Sequence, residues 1–265
     1  GGWQDSGGLW PGIKLIEGAH AQPGDPEHDI SRGRLLPKHT LLGVDRIPAA
    51  ARKKLQDSLV LVHGGMAQNV GPILEMVTEK YLLRGEADSL ARQRAVATLE
   101  SILVLLAKGD VKGLGAALTD NFQGPLQTII PAVTNLYTEQ LIERTRAEFG
   151  DDFWGFWMLG GMSGGGMGFI FAPERRREGQ ERLREIMLTT KRELESALPF
   201  AMDPVVYDFT INEDGSVAAV LSGKDAMLPV GYYQQAMPAC LRQSARDLSA
   251  RERIDLQQFT RASRT

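Results

Sequence analysis

Cysteine is nearly absent from this sequence, since Cys240 is its only one. A single cysteine excludes an internal disulfide and favours a reducing compartment, so we expect a cytoplasmic protein. Long apolar runs are absent too. The longest, residues 102–107, is far shorter than the roughly 20 residues that a membrane-spanning helix needs. We therefore expect no membrane partner.

The sequence also lacks an excess of positive charge and a metal-binding pattern. It has 30 Lys and Arg residues against 33 Asp and Glu residues, for a net charge of −3. Such a balance does not favour a nucleic-acid partner. All 4 histidines lie in the first quarter, and none forms a HExxH or a Cys-x-x-Cys type of pairing. We therefore predict no zinc site and no metal ligands in this chain.

What remains is the composition of an ordinary globular protein, with 43% hydrophobic and 24% charged residues. A chain of 265 residues can bury a core without disulfides or metals. Helical spacing dominates residues 71–150, and short apolar strands with a hairpin pattern follow. This order predicts an α+β fold, with an antiparallel sheet packed against helices, rather than a doubly wound parallel sheet.

Short apolar runs and turn residues place the strands. The turn sequence of residues 212–216 predicts a hairpin whose return strand covers residues 217–221. The other strands are predicted over residues 13–16, 59–62, 156–159, 169–171 and 204–211.

Start and stop residues place the helices. Pro72 suits a first helical turn, and Gly109 follows a helical apolar stripe. Asp110 is a candidate N-cap for the next helix. Gly150 is expected to end a helix, and Pro173 to open an amphipathic one.

The least ordinary feature is a glycine loop, with six glycines in the nine residues 160–168. Glycine allows positive φ angles and lets backbone N–H groups approach a ligand. Successive N–H groups in such a loop can bind an anion, so a phosphate loop is one interpretation. A tight connection between two strands is the other, and composition alone leaves both open.

Three better-known loops do not fit these residues. A Walker A loop needs a Gly-Lys-Ser/Thr ending, and the loop has no lysine. A dinucleotide fingerprint needs a helix directly after the glycines, whereas residues 169–173 have the pattern of a strand. Residues 161–165 match the G-x-S-x-G nucleophile elbow, but no histidine follows Ser163.

Three blocks of sequence resemble one known family. Residues 1–5 are Gly-Gly-Trp-Gln-Asp, followed by a glycine turn and Gly-Ile-Lys at 12–14. Residues 61–64, Leu-Val-His-Gly, resemble a later family strand that ends in Tyr-Thr-Gly. Residues 163–169 resemble a Gly-Ala-Gly-Gly-Gly-Gly-Phe type of loop that enters a strand. Together, and in this order, they resemble the GHMP kinase superfamily and within it the C-terminal part of an L-fucokinase, in the fucokinase and heptose kinase branch.

The resemblance implies a sugar kinase that transfers a phosphoryl group from ATP, with Mg²⁺, to the anomeric hydroxyl of L-fucose or a similar sugar. In the family, the aspartate of the first block lies at the sugar hydroxyl as the catalytic base, and this role carries over to Asp5. A carboxylate within hydrogen-bonding reach of a hydroxyl can orient it and accept its proton. The implied substrate- or phosphate-binding residues are Gly2, Trp3, Ser163, Gly164, Gly165 and Gly166.

The resemblance also implies a domain organisation. Residues 1–70 would be the end of the N-terminal kinase domain, 71–230 the GHMP C-terminal domain, and 231–265 a helical tail. The family's main ATP loop precedes the catalytic aspartate, so we expect the chain to be incomplete as an enzyme. The missing partner would be an N-terminal half or a fused nucleotidyltransferase domain.

Two departures from the family pattern keep a second hypothesis open. The strand ending at Gly64 is not followed by the family's Thr-Arg pair, and Ser6 stands where the family has glutamine. The alternative is a non-catalytic module with a GHMP-like fold, which serves binding or assembly in a larger multidomain protein.

Overall fold

The structure is a computed structural model that describes residues 10–66, 70–159, 164–220, 240, 242–244 and 246–262, with side chains described up to residue 257. The chain divides into two compact units, Gly1–Gly215 and Ser216–Thr265. In the part of the chain described, no helix combines the length and the apolar character needed to cross a bilayer.

The strands of the first unit form two antiparallel sheets. The strands are β1 (Ile13–Glu17), β2 (Lys38–Leu42), β3 (Leu59–His63), β4 (Phe153–Met158), β5 (Met167–Phe171) and β6 (Val205–Tyr207). Strands β1 and β2 form a two-stranded sheet, and the other four form a sheet in the order β4-β5-β3-β6. The predicted domain boundary at residue 70 follows β3, and β3 pairs with β5 on the far side of that boundary.

The longer helices are α1 (Ala49–Ser58), α2 (Gly71–Leu83), α3 (Glu86–Lys108), α4 (Val111–Asn121), α5 (Leu136–Phe149), α6 (Arg176–Glu193) and, in the second unit, α7 (Ala250–Ala262). A π-helical turn around Pro125, Phe122–Leu126, lies between α4 and α5. Helices of the first unit lie between β2 and β3, between β3 and β4, and between β5 and β6, so the predicted α+β fold with an antiparallel sheet is confirmed.

The predicted helix signals act as expected. Pro72 lies in the first turn of α2, where its missing N–H costs no helical hydrogen bond. Gly109 ends α3 with a φ of 68°, and the Asp110 side chain accepts the Gly113 N–H as the N-cap of α4. Gly150 follows the last residue of α5. These boundaries depend only on neighbouring residues, which is why the sequence alone predicts them.

The main core lies between the four-stranded sheet and helices α5 and α6. All five residues of β5 are buried, as expected for a central strand with neighbours on both sides. Aromatic rings from β4, β5 and α5 pack together here, and Phe149 meets Phe171 edge to face with 4.9 Å between ring centroids. Leu183 and Met187 of α6 belong to the same core. This packing fixes where the ends of β3 and β5 lie.

Helix α4 packs on β4 through two glycines. A Cβ atom on Gly155 would lie 2.1 Å from the Gly115 carbonyl oxygen, and a Cβ on Gly115 would lie 2.5 Å from the Trp154 carbonyl oxygen. No side chain fits at such distances. The sequence signals did not single out either glycine, because the contact joins residues far apart in the chain.

The predicted return strand after the Asn212 turn is wrong for the residues that the structure describes. The turn itself exists, since the Asn212 side chain accepts the N–H groups of Asp214 and Gly215. Residues 217–220 are not in a strand, and Val217 and Val220 are largely exposed. Strand β6 ends at Tyr207 and pairs with β3 instead. The strand predicted over residues 204–211 is thus confirmed only for Val205–Tyr207, and its partner is β3 rather than a return strand.

Arg52 of α1 joins three parts of the first unit. Its guanidinium donates hydrogen bonds to the carbonyl oxygens of Leu42 and Ile47 and pairs with the Glu213 carboxylate at 2.6 Å. Arg52 is buried, so these partners replace water around its charge. The end of β2 and the turn after β6 are thereby held against α1.

We predict that Arg52→Met lowers the free energy of unfolding by about 2–4 kcal/mol, because two carbonyls and a carboxylate lose their charged donor. Urea denaturation of both proteins measures this. The matched control is Lys53→Met, on the same helix, where an exposed side chain pairs with Asp57; we expect a change of about 0.5 kcal/mol or less. Equal losses in the two variants would contradict the anchoring role.

Candidate functional site

The structure describes three of the seven site residues predicted from sequence. Gly2, Trp3, Asp5 and Ser163 lie outside the described residues, so their roles stay predictions. The other three, Gly164, Gly165 and Gly166, are described, are buried, and lie directly before β5.

The end of β3 meets the start of β5 at two glycines, Gly64 and Gly165, which we call the glycine crossing. The Gly64 N–H donates to the Gly165 carbonyl oxygen at 3.0 Å, which extends the ladder of β3 and β5 by one more bond. A Cβ on Gly165 would lie 2.5 Å from the Gly64 Cα, and a Cβ on Gly64 would lie 2.9 Å from the Gly165 Cα. Only glycine lets the two backbones come this close.

Backbone hydrogen bonds hold the two turns that meet at the crossing. Gly65 has a φ of 79°, and its carbonyl oxygen accepts the Met202 N–H at 2.9 Å. On the other turn, the Gly166 carbonyl oxygen accepts the Leu159 N–H at 3.0 Å. The block at 61–64 and the described residues 164–169 of the later block are therefore neighbours in space, although about 100 residues separate them in the chain.

His63 takes part in the first of these turns. Its Nδ1 atom accepts the Gly65 N–H at 3.0 Å, and the residue is half-buried. Because Nδ1 accepts this bond, a neutral His63 carries its proton on Nε2. The imidazole thus stabilises the turn with one nitrogen and keeps a donor on the other.

Tyr137, which the sequence signals did not single out, borders the crossing. A Cβ on Gly64 would lie 2.9 Å from its Cε1, the ring carbon beside the one that carries the hydroxyl. The residue is 1% exposed, and within the described part of the chain its hydroxyl has no hydrogen-bond partner. Burial raises the pKa of this hydroxyl, so it keeps its proton at neutral pH.

The first turn of α5 brings Tyr137 to this place. Asn135 caps the helix by accepting the Thr138 N–H at 3.0 Å, and the Thr138 hydroxyl accepts the Asn135 N–H at 3.1 Å. This reciprocal capping box fixes the start of the helix. The pair of Asn135 and Thr138, three residues apart, is a sequence signal that could have predicted this helix start. It could not have predicted that Tyr137 packs beside Gly64.

A separate cavity lies elsewhere in the first unit, away from the glycine crossing. It has a volume of about 790 Å³ and opens around the loop that precedes β2. None of the described site residues predicted from sequence lines it. Its polar lining consists mainly of His20, Glu27, Ser31, Arg32, Arg34 and Tyr81.

Metal ligands do not cluster in the described part of the chain, where no three His, Cys, Asp or Glu side chains could hold one ion.

Comparisons with known proteins give structural neighbours only. No family model matches the chain, and no curated protein matches it. The structure of L. major mevalonate kinase in complex with R-mevalonate is 18% identical, with a TM-score of 0.42 over 60% of this chain and 43% of that one. Lactococcus lactis galactokinase complexed with galactose is 11% identical, with a TM-score of 0.44 over 69% of this chain and 50% of that one. The chain thus spans about half the length of these two structures.

Proposed function

We propose that this chain is the C-terminal part of an ATP-dependent sugar kinase of the GHMP type, which phosphorylates the anomeric hydroxyl of L-fucose or a similar sugar. The proposal includes a cytoplasmic location, and an ATP loop and Mg²⁺ ligands from another part of the full-length protein. The proposal also includes the division into the end of an N-terminal kinase domain (1–70), a GHMP C-terminal domain (71–230) and a helical tail (231–265).

One observation carries this proposal. The two later blocks that resemble the kinase family come together at the glycine crossing, with 3.0 Å between the Gly64 nitrogen and the Gly165 oxygen. Nothing in the local sequence requires residues so far apart to be neighbours. If the two short blocks resembled the family only by chance, they would rarely be neighbours in the folded protein. A kinase site requires them to be neighbours.

In the proposed reaction, the protein contributes mainly by positioning ATP and the sugar relative to each other. The bond between the γ-phosphorus and the bridging oxygen of ATP breaks, a bond to the sugar oxygen forms, and ADP leaves. Asp5 orients the sugar hydroxyl and accepts its proton. The glycine turn that includes Gly164, Gly165 and Gly166 lies beside the transferred phosphoryl group. Mg²⁺ would neutralise charge on the phosphates.

His63 favours the second candidate function, a non-catalytic binding or assembly module. The residue stands where the family strand has threonine, and its Nδ1 atom is used by the Gly65 N–H. No arginine follows it before residue 70. A module of this kind would keep the crossing for stability alone and would turn over no sugar.

The test uses the full-length protein with ATP, Mg²⁺ and a panel of sugars that includes L-fucose and a heptose. Phosphorus NMR and ADP release follow the reaction, with a reaction without sugar as the control for simple ATP hydrolysis. We expect one ADP for each sugar 1-phosphate formed. Phosphorylation at another hydroxyl would contradict the anomeric specificity. If none of the sugars is consumed, the module is the better description.

A further inference from the structure

We propose that the Tyr137 hydroxyl donates a hydrogen bond to a phosphoryl oxygen of a ligand bound beside the glycine crossing. This inference rests on the kinase function proposed above and adds a residue to its site. The phosphoryl oxygen could belong to ATP or to a sugar phosphate, and the two sources offer the same acceptor.

An unpaired buried hydroxyl is the first reason. Transferring a hydroxyl out of water without a new partner destabilises the folded protein, and Phe would fill the same place without this loss. The other polar groups of the same turn are paired, since Thr134, Asn135 and Thr138 bond to one another. The Tyr137 hydroxyl is the exception among the described groups of this turn.

The position of the ring is the second reason. Its Cε1 atom borders Gly64, at the point where the two family-like blocks meet. The Cε atom of the half-buried Met66 borders the same crossing, 3.1 Å from the Cβ position of Gly64 and 3.3 Å from that of Gly165. A methionine side chain is flexible and changes rotamer readily. A ligand that displaces this methyl group would reach the two glycines, one of which the tyrosine ring borders.

The position of Tyr137 at a helix N-terminus is the third reason, because it favours an anionic ligand. Tyr137 lies in the first turn of α5, a helix of 14 residues. The N-terminal end of a helix carries a partial positive charge and stabilises negative groups nearby. The hydroxyl stays protonated and is therefore a donor, which suits an oxygen of a phosphate.

The experiment compares the full-length wild-type protein with Tyr137→Phe. We measure the melting temperature without ligand, and the Kd values of Mg·ATP and of L-fucose 1-phosphate by calorimetry. Removing the unpaired hydroxyl is expected to raise the ligand-free melting temperature by about 2–4 °C. The same change is expected to weaken binding of one of the two ligands by about tenfold or more. The ligand that is affected identifies the source of the phosphoryl oxygen.

Thr190→Val is the matched control. Thr190 of α6 is also fully buried, with a hydroxyl that lacks a described partner, but it does not border the crossing. It should raise the melting temperature and leave both Kd values unchanged.

Two results would overturn the inference while the kinase proposal stands: wild-type Kd values in Tyr137→Phe, or a lower melting temperature, which would mean that the hydroxyl is already paired. If the wild-type protein binds neither ligand, the kinase proposal and the inference both fail.

Discussion

Replacing Asp5 with asparagine is expected to lower the turnover number of the full-length protein about 10²- to 10⁴-fold. Asparagine has nearly the shape of aspartate, so the change removes the proton acceptor and the negative charge but little volume. The sugar would still bind, because the amide can hydrogen bond to the same hydroxyl. We therefore expect kcat to fall much more than KM rises. Steady-state kinetics with the best sugar of the panel measure both.

A second carboxylate gives the control for this experiment. Asp151→Asn removes a negative charge from an exposed residue next to α5, outside the candidate site. Its turnover should equal that of the wild-type protein, and both variants should keep the wild-type melting temperature. An unchanged kcat in Asp5→Asn would exclude the catalytic role that the family resemblance gives to this residue. A fall in kcat that accompanies unfolding would be a structural effect, which the melting temperature detects.

The sequence predicted the features of the fold that depend on near neighbours. Gly109 ends α3 because the αL conformation suits glycine, and Asp110 caps α4 because its carboxylate reaches the Gly113 N–H. The buried strand before Gly64 was visible as an uninterrupted apolar run. Such signals involve only a few consecutive residues, so they can be recognised without any knowledge of the tertiary structure.

Contacts between distant residues could not be predicted in this way. The close packing of Gly115 on β4 depends on how α4 crosses the sheet, and no local pattern reports it. The same holds for the ring of Tyr137 beside Gly64, which joins the first turn of α5 to the end of β3. The family resemblance named two blocks of the candidate site, but not the tyrosine that packs against their meeting point.

The glycines of the loop show why composition left two interpretations open. A glycine that admits a ligand and a glycine that admits another backbone have the same sequence signature. At Gly165 the structure supplies a backbone neighbour, the N–Cα segment of Gly64. The packing requirement is thus demonstrated for this glycine, and it holds with or without a ligand. Stability measured without ligand can therefore isolate it from any role in phosphate binding.

Gly165→Ala is expected to lower the free energy of unfolding by about 2–5 kcal/mol. The new Cβ would lie 2.5 Å from the Gly64 Cα and 2.6 Å from its nitrogen, and neither backbone atom can turn away as a side chain can. The φ of 85° at this residue adds strain for any residue with a Cβ. Urea denaturation without ligand measures the loss. Because β3 and β5 are central strands, we expect a lower midpoint with an unchanged m value, as in a two-state transition.

Gly24→Ala separates the two causes. Gly24 also has a positive φ, of 99°, but a Cβ there would meet no atom within 4 Å. Gly24→Ala should lower the free energy of unfolding by about 1–2 kcal/mol, from backbone strain alone. The further decrease in the free energy of unfolding of Gly165→Ala, beyond that of Gly24→Ala, then measures the energy needed to separate the two backbones at the crossing. If the two variants lose the same stability, β3 and β5 do not approach each other as closely as described, and the meeting of the two sequence blocks would no longer support a shared site.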